Sequence, residues 1–240
     1  MKHTQTWLVA TFTLLTSGAM VVAQESQVAQ NPQVAQNLTI VQEANVAAVD
    51  VDQNLISSLK ALLTPLANSK GKFEQSLYDQ TGQLIQDSSG NYALKQPGKF
   101  RWDTLEPFPQ VLVSNGETIW LYDPDLEQVT IKPFSAQADQ LPIRIISGDY
   151  SVLENEFDVR LNTKPSSNGE QTFVLTPKTS GQILRVELRF GANNIESMSV
   201  VESGNTRTEF VFKNTQPLSG KEPTSFEFIV PENADVFYDN

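Results

Sequence analysis

No cysteine occurs in the 240 residues, and the one histidine is His3. Lack of cysteine rules out a disulfide staple, a thiol nucleophile and an acylated N-terminal cysteine. With histidine confined to the third position, the rest of the chain has no imidazole for general-base work or zinc binding. Positive charge is scarce too: 17 Lys and Arg against 28 Asp and Glu leave a net charge of -11. That balance argues against nucleic acid and anionic lipid headgroups as general partners. The stretch from Trp7 to Leu15, broken by threonines, is too short to span a bilayer. Together these absences exclude most familiar hydrolases and leave a binding protein as the leading class, with no metal or cofactor expected.

What is present starts with an export signature. Lys2 and His3 precede the apolar stretch, and Val21-Val22-Ala23 fits signal-peptidase cleavage before Gln24. Residues 1–23 are therefore expected to be removed, giving a protein soluble in the periplasm. In residues 24–50, Gln27-Val28-Ala29-Gln30-Asn31 is repeated as Gln33-Val34-Ala35-Gln36-Asn37, and the composition predicts a low-complexity disordered tether. The folded domain is expected over 51–240.

Leu55, Leu59, Leu62 and Leu66, with Ile56 and Leu63, make a helical stripe, and Asp50 or Asp52 is placed to cap it. Pro65 and the stretch from Asn68 to Gly71 end that helix. A second helix is predicted over Ala136 to Ile146, around Pro142. The remainder reads as strands: 72–78, 90–94, 99–104, 110–113, 118–122, 128–131, 172–175, 183–190, 195–201, 208–212 and 225–230. Turn residues stand at Thr81-Gly82, Asn115-Gly116, Asp123-Pro124-Asp125 and 191–194, and such short connections favour antiparallel neighbours.

Alternation separates two faces. Phe100 and Trp102 oppose Lys99, Arg101 and Asp103; Leu184, Val186, Leu188 and Phe190 oppose Arg185, Glu187 and Arg189; Phe226 and Phe228 oppose Glu227. A long sheet with one apolar side must close, stack or be covered. Two or three short helices favour a mainly β (α+β) fold, an incomplete antiparallel β-barrel with a helical lid over an apolar cavity; a filled sandwich is the alternative.

The segments 71–75, 79–82, 89–90, 97–102, 112–116, 120–123, 126–130 and 173–178, in that order and spacing, resemble the LolA family of periplasmic outer-membrane lipoprotein carriers. The resemblance implies a monomeric carrier, not an enzyme, that takes acylated lipoproteins from an inner-membrane ABC exporter and delivers them to an outer-membrane acceptor. It implies Phe73, Phe100 and Trp102 as walls of the acyl-chain cavity. Leu59, Leu63, Leu66, Ile143 and Ile146 fall on the lid. The family often has an arginine before the proline of the 97–102 segment, tying barrel to lid; here Gln96 stands there. Gln96 is thus the candidate latch, with Arg144 a candidate donor from the lid side. Each aromatic can equally be core filler, and whether Trp120 and Tyr122 face the cavity is open. Lys99 and Arg101 read as a solvated face, or as a meeting point for a partner's acidic surface. Two other classes stay open: a periplasmic lipid-sensing or signalling domain of the same fold, and a carboxylate hydrolase using Asp103, Glu106, Asp123 or Asp125.

Overall fold

The computed structural model describes residues 53–134, 141–162, 170–191, 194–219 and 226–239. The expected signal peptide, the tether and the cap at Asp50 or Asp52 lie outside these residues, as does the first part of the second predicted helix.

Helix α1 spans Gln53–Leu63 and buries Ile56, Leu59 and Leu63. Pro65 stops it, and a short 3-10 helix, Leu66–Asn68, leads into the sheet. The strands are β1 Ser69–Tyr78, β2 Leu84–Lys95, β3 Lys99–Glu106, β4 Gln110–Asn115, β5 Thr118–Asp123, β6 Gln128–Pro133, β7 Phe157–Asn162, β8 Gln171–Pro177, β9 Ile183–Phe190, β10 Ile195–Glu202, β11 Arg207–Pro217 and β12 Asp235–Tyr238. Between β6 and β7 lie α2, Leu141–Ile146, and α3, Ser151–Asn155. All twelve strands form one open sheet, ordered β12-β6-β5-β4-β3-β2-β1-β11-β10-β9-β8-β7. This is the expected mainly β fold: an incomplete antiparallel barrel with helices on its apolar side.

Local chemistry sets the turns. The Asn115 Oδ1 accepts the N–H groups of Glu117 and Thr118, each at 2.9 Å, and Asp123 Oδ1 accepts those of Asp125 and Leu126. These side-chain bonds replace ladder bonds where the chain reverses. Asp123 is thereby a turn former, and Asp103 is held by the Arg101 Nε at 2.8 Å. Neither arrangement is that of a catalytic carboxylate pair.

Three expectations need correction. Residues 226–230 are not a strand, although Phe226, Glu227 and Phe228 alternate. Phe228 packs on Tyr122 with ring centroids 5.5 Å apart, while Ile229 is 89% exposed. The ladder position beside β6 is taken instead by β12, the one parallel neighbour in the sheet. Leu184 does not share the dry face: Val201 pairs with Arg185 and Glu202 with Ile183, so Leu184 is an extra residue in a bulge and Ile183 is buried in its place. The sequence reading also missed β7 and α3, although Phe157 and Val159 alternate with Asp158 and Arg160.

Candidate functional site

Register assigns every side chain to a face, because directly paired residues point the same way. Phe73 pairs with Phe212 and with Gly90, Tyr92 with Trp102, and Leu94 with Phe100. Met198 pairs with Phe210 and Leu188, and Leu188 with Phe173. A single apolar face therefore runs from β3 through β2, β1, β11, β10 and β9 to β8.

The aromatic centre of this face depends on glycine. A Cβ on Gly90 would lie 2.8 Å from Phe73 Cε1, and one on Gly71 2.9 Å from Tyr92 Cε1. Lacking those carbons, the two rings lie flat across the neighbouring strand. Phe73 then stacks on Trp102 with centroids 4.1 Å apart, and Tyr92 stacks on it from 5.9 Å. Phe210 meets the indole edge-on at 5.7 Å. The Tyr92 hydroxyl is pushed up by burial, partly offset by hydrogen bonds with Thr215 and Ser69.

Helices cover this face. Leu59 and Leu63 of α1 are 0% exposed, Leu66 2%, Ile143 4% and Ile146 1%. The walls are equally shut, with Phe73 at 1%, Phe100 at 0% and Trp102 at 5%. All the candidate wall and lid residues are thus buried in one apolar assembly, with α1 and α3 resting on β7 and the 3-10 helix on β2 and β11. Lys60 of α1 is paired with Glu154 of α3.

The β2–β3 turn fastens the lid. The Gln96 N–H donates to the Ala67 carbonyl at 2.9 Å, and the Gly98 N–H to the Ser147 carbonyl at 3.2 Å. Main-chain donors on either side of Pro97 therefore reach two lid segments. Ser147 sits where α2 ends in a Schellman turn: Asp149 N–H returns to the Arg144 carbonyl, Gly148 N–H to that of Ile145, and Gly148 has φ +89°. Arg144 does not reach the barrel turn. Its guanidinium binds Asp149 Oδ2, from Nε at 2.8 Å and from the NH2 group at 2.6 Å, bracketing the loop that presents the Ser147 carbonyl. Burial alone would raise the Asp149 carboxyl, but the Ser151 hydroxyl and Arg144 outweigh it and hold the group below the usual range.

Trp120 and Tyr122 lie on the outer face. Trp120 pairs with Val113, which pairs with Arg101, and Tyr122 pairs with Val111, which pairs with Asp103. The inner positions of this region are Leu112 and Leu121, paired with each other beside Trp102 and only half-buried. Both were missed as wall residues, although each stands at even spacing from a neighbour on the dry face. Among the described residues no cluster of acidic or histidine side chains is arranged to hold a metal, and no helix is long and apolar enough to cross a membrane.

The arrangement is an apolar sheet face packed beneath a helical cover, with polar contacts at the edge of that cover. The family model for the outer membrane lipoprotein carrier protein LolA matches residues 66–229. The outer-membrane lipoprotein carrier protein of Azotobacter vinelandii is 35% identical over 194 residues, 80% of this chain and 91% of that protein. Its namesake in Chromohalobacter salexigens is 33% identical over 179 residues, 74% and 84% of the two chains. A solved LolA superfamily protein from Nitrosomonas europaea aligns with a TM-score of 0.42 at 12% identity, over 74% of this chain and 99% of that one.

Proposed function

The chain belongs to the family of the outer membrane lipoprotein carrier protein LolA, and on that footing we propose that it carries lipoproteins by sheltering their acyl chains beneath its lid. The observation that supports this best is the cover itself. A continuous apolar face is closed by three α-helices and the 3-10 helix, whose fastening includes two main-chain hydrogen bonds from the 96–98 turn, not by a second sheet. A net hydrogen bond contributes only about 0.5–1.5 kcal/mol, so such a fastening can be exchanged for cargo.

Each methylene removed from water is worth about 0.8 kcal/mol, which makes a multiply acylated anchor insoluble on its own and gives the cargo a large incentive to displace the lid. The closed lid then competes with the chains and allows their release. In this reading Phe73, Phe100 and Trp102 wall the cavity, and Leu59, Leu63, Leu66, Ile143 and Ile146 are the surfaces that lift. No bond is broken. An inner-membrane ABC exporter loads the carrier and an outer-membrane acceptor unloads it, both acting in the periplasm after removal of residues 1–23. Residues 24–50 serve as a tether ahead of the carrier domain.

Coexpression with a lipoprotein and its exporter tests the proposal, with native mass spectrometry of the purified protein as readout. An acylated lipoprotein should be retained, and the same cargo lacking its acylated cysteine should not. Equal recovery of both would reject a role in acyl-chain transport.

A further inference from the structure

The sheet ends in two edge strands that differ in their cover. Helices α1 and α3 lie against β7, whereas β12 leaves Val236 39%, Phe237 50% and Tyr238 71% exposed. We propose that β12 accepts a further, antiparallel strand: an extended segment of a protein partner with the pattern basic-x-apolar-x-basic.

The Asp235 N–H donates to the Glu127 carbonyl at 2.8 Å and the Asp239 N–H to the Ile131 carbonyl at 3.0 Å, so both face β6. Strand alternation turns the N–H and C=O groups of Val236 and Tyr238 the other way, toward the open edge. Two donors and two acceptors are thereby offered to an incoming chain, the main-chain half of recognition by strand addition. This edge is also held in place beforehand. Val236 pairs with buried Val129, and Val129 with Tyr122, on whose ring Phe228 packs. A strand already ordered lowers the cost of binding a partner to it.

Side chains decide which partner fits. Phe237 pairs with Thr130 and Thr130 with Leu121, so Asp235, Phe237 and Asp239 share the inner face. Neither aspartate forms an ion pair with a described residue. Because the main chain of these three residues bonds toward β6, an antiparallel neighbour meets them in non-hydrogen-bonded pairs, where facing side chains come closest. Two carboxylates on Cα atoms about 13 Å apart therefore confront the neighbour's side chains directly. Opposite charges facing across strands stabilise the pairing, and like charges destabilise it. Lysine or arginine opposite each aspartate, with an apolar residue opposite Phe237, satisfies all three positions. A second copy of this chain does not, since antiparallel pairing centred on Phe237 sets each Asp235 against Asp239 of the other copy. Inward charges on an edge strand discourage such self-association, and the same charges admit a basic strand.

The inference stands apart from acyl binding, which is read with its own probe. The fluorescein-labelled peptide Gly-Thr-Lys-Thr-Val-Thr-Lys-Thr-Gly is titrated with the full chain; anisotropy gives the affinity and amide exchange the location. It should bind at least tenfold tighter than the same peptide with glutamate for both lysines, and should slow exchange at Val236 and Tyr238. N-methylation of the two threonines flanking the valine keeps every side chain but removes the donors that face β12, and should abolish binding. Asp235→Lys combined with Asp239→Lys should reverse the preference between the two peptides, with thermal melts and acyl-probe affinity unchanged. No binding of the lysine peptide, binding that survives N-methylation, or a preference unmoved by the double substitution would each overturn the inference. So would protection of Val236 and Tyr238 that grows with protein concentration alone, which would make the occupant a second copy.

Discussion

Gly148 stands against Gln96 so closely that a Cβ added to the glycine would lie 2.6 Å from Gln96 Cβ and 3.0 Å from its Oε1. The barrel turn and the lid loop therefore meet through the absence of a side chain, beside the main-chain bonds from Gln96 to Ala67 and from Gly98 to Ser147.

Gly148→Ala should loosen this junction for two reasons, the contact with Gln96 and the positive φ, the latter alone costing about 1–2 kcal/mol. The expected result is a lower melting temperature together with tighter binding of a fluorescent fatty-acid probe, since a weaker lid competes less with cargo. Parallel melts and probe titrations check both. A loss of stability without tighter binding would place the junction outside lid control.

Gln96→Arg should act the other way. Hydrogen bonds to a charged group contribute about 1.5–3 kcal/mol against about 0.5–1.5 for neutral ones, and the guanidinium would stand beside the C-terminal end of α2, the negative end of that helix. Probe affinity should fall by about tenfold, equivalent to about 1.4 kcal/mol. Unchanged affinity would leave the main-chain bonds as the whole latch at this turn.

Leu63→Glu and Trp102→Glu both put a carboxylate at a buried site, Leu63 at 0% and Trp102 at 5% exposure. A lid residue can escape the penalty by swinging into water, but a residue in mid-sheet cannot. Leu63→Glu should keep a cooperative melt and expose apolar surface to a dye such as ANS. Trp102→Glu should lose several kcal/mol, as expected for an unpaired buried charge, and also probe binding. Equal collapse of both variants in the melts would mean that the helices are permanent core.

Acid should release the α2–α3 loop. The Asp149 carboxyl is held below its usual value of 3.8 by the Ser151 and Arg144 contacts, despite the opposing effect of burial. A carboxyl depressed in the folded state contributes stability that is complete above the unfolded value and is lost as pH falls through the folded one. Amide exchange at Gly148 and Asp149 should therefore accelerate below about pH 3.8 in the native protein. Asp149→Asn should exchange fast already at neutral pH and lose that acid step.

The dry and wet faces of β3 and the α1 stripe were legible in the sequence, because strand and helix periods are local properties that each side chain expresses within its own segment. So were the turns at Asn115 and Asp123, where the side chain bonds its own neighbouring main chain. The order of segments also carried the family likeness. What the sequence left open depended on partners distant along the chain. Whether Trp120 faces inward or outward was fixed by its pairing with Val113, and Leu184 lost its place to a bulge that requires β10 opposite. Residues 226–230 alternate as a strand would but form no ladder with a neighbour, and β12 lies beside β6. Arg144 looked equally able to bind a barrel carbonyl or to face solvent, and only the Schellman turn, by folding Asp149 back toward it, decided its partner. Composition and period determine which surfaces must be hidden; register, bulges and loop geometry, which need two chain segments at once, decide what hides them.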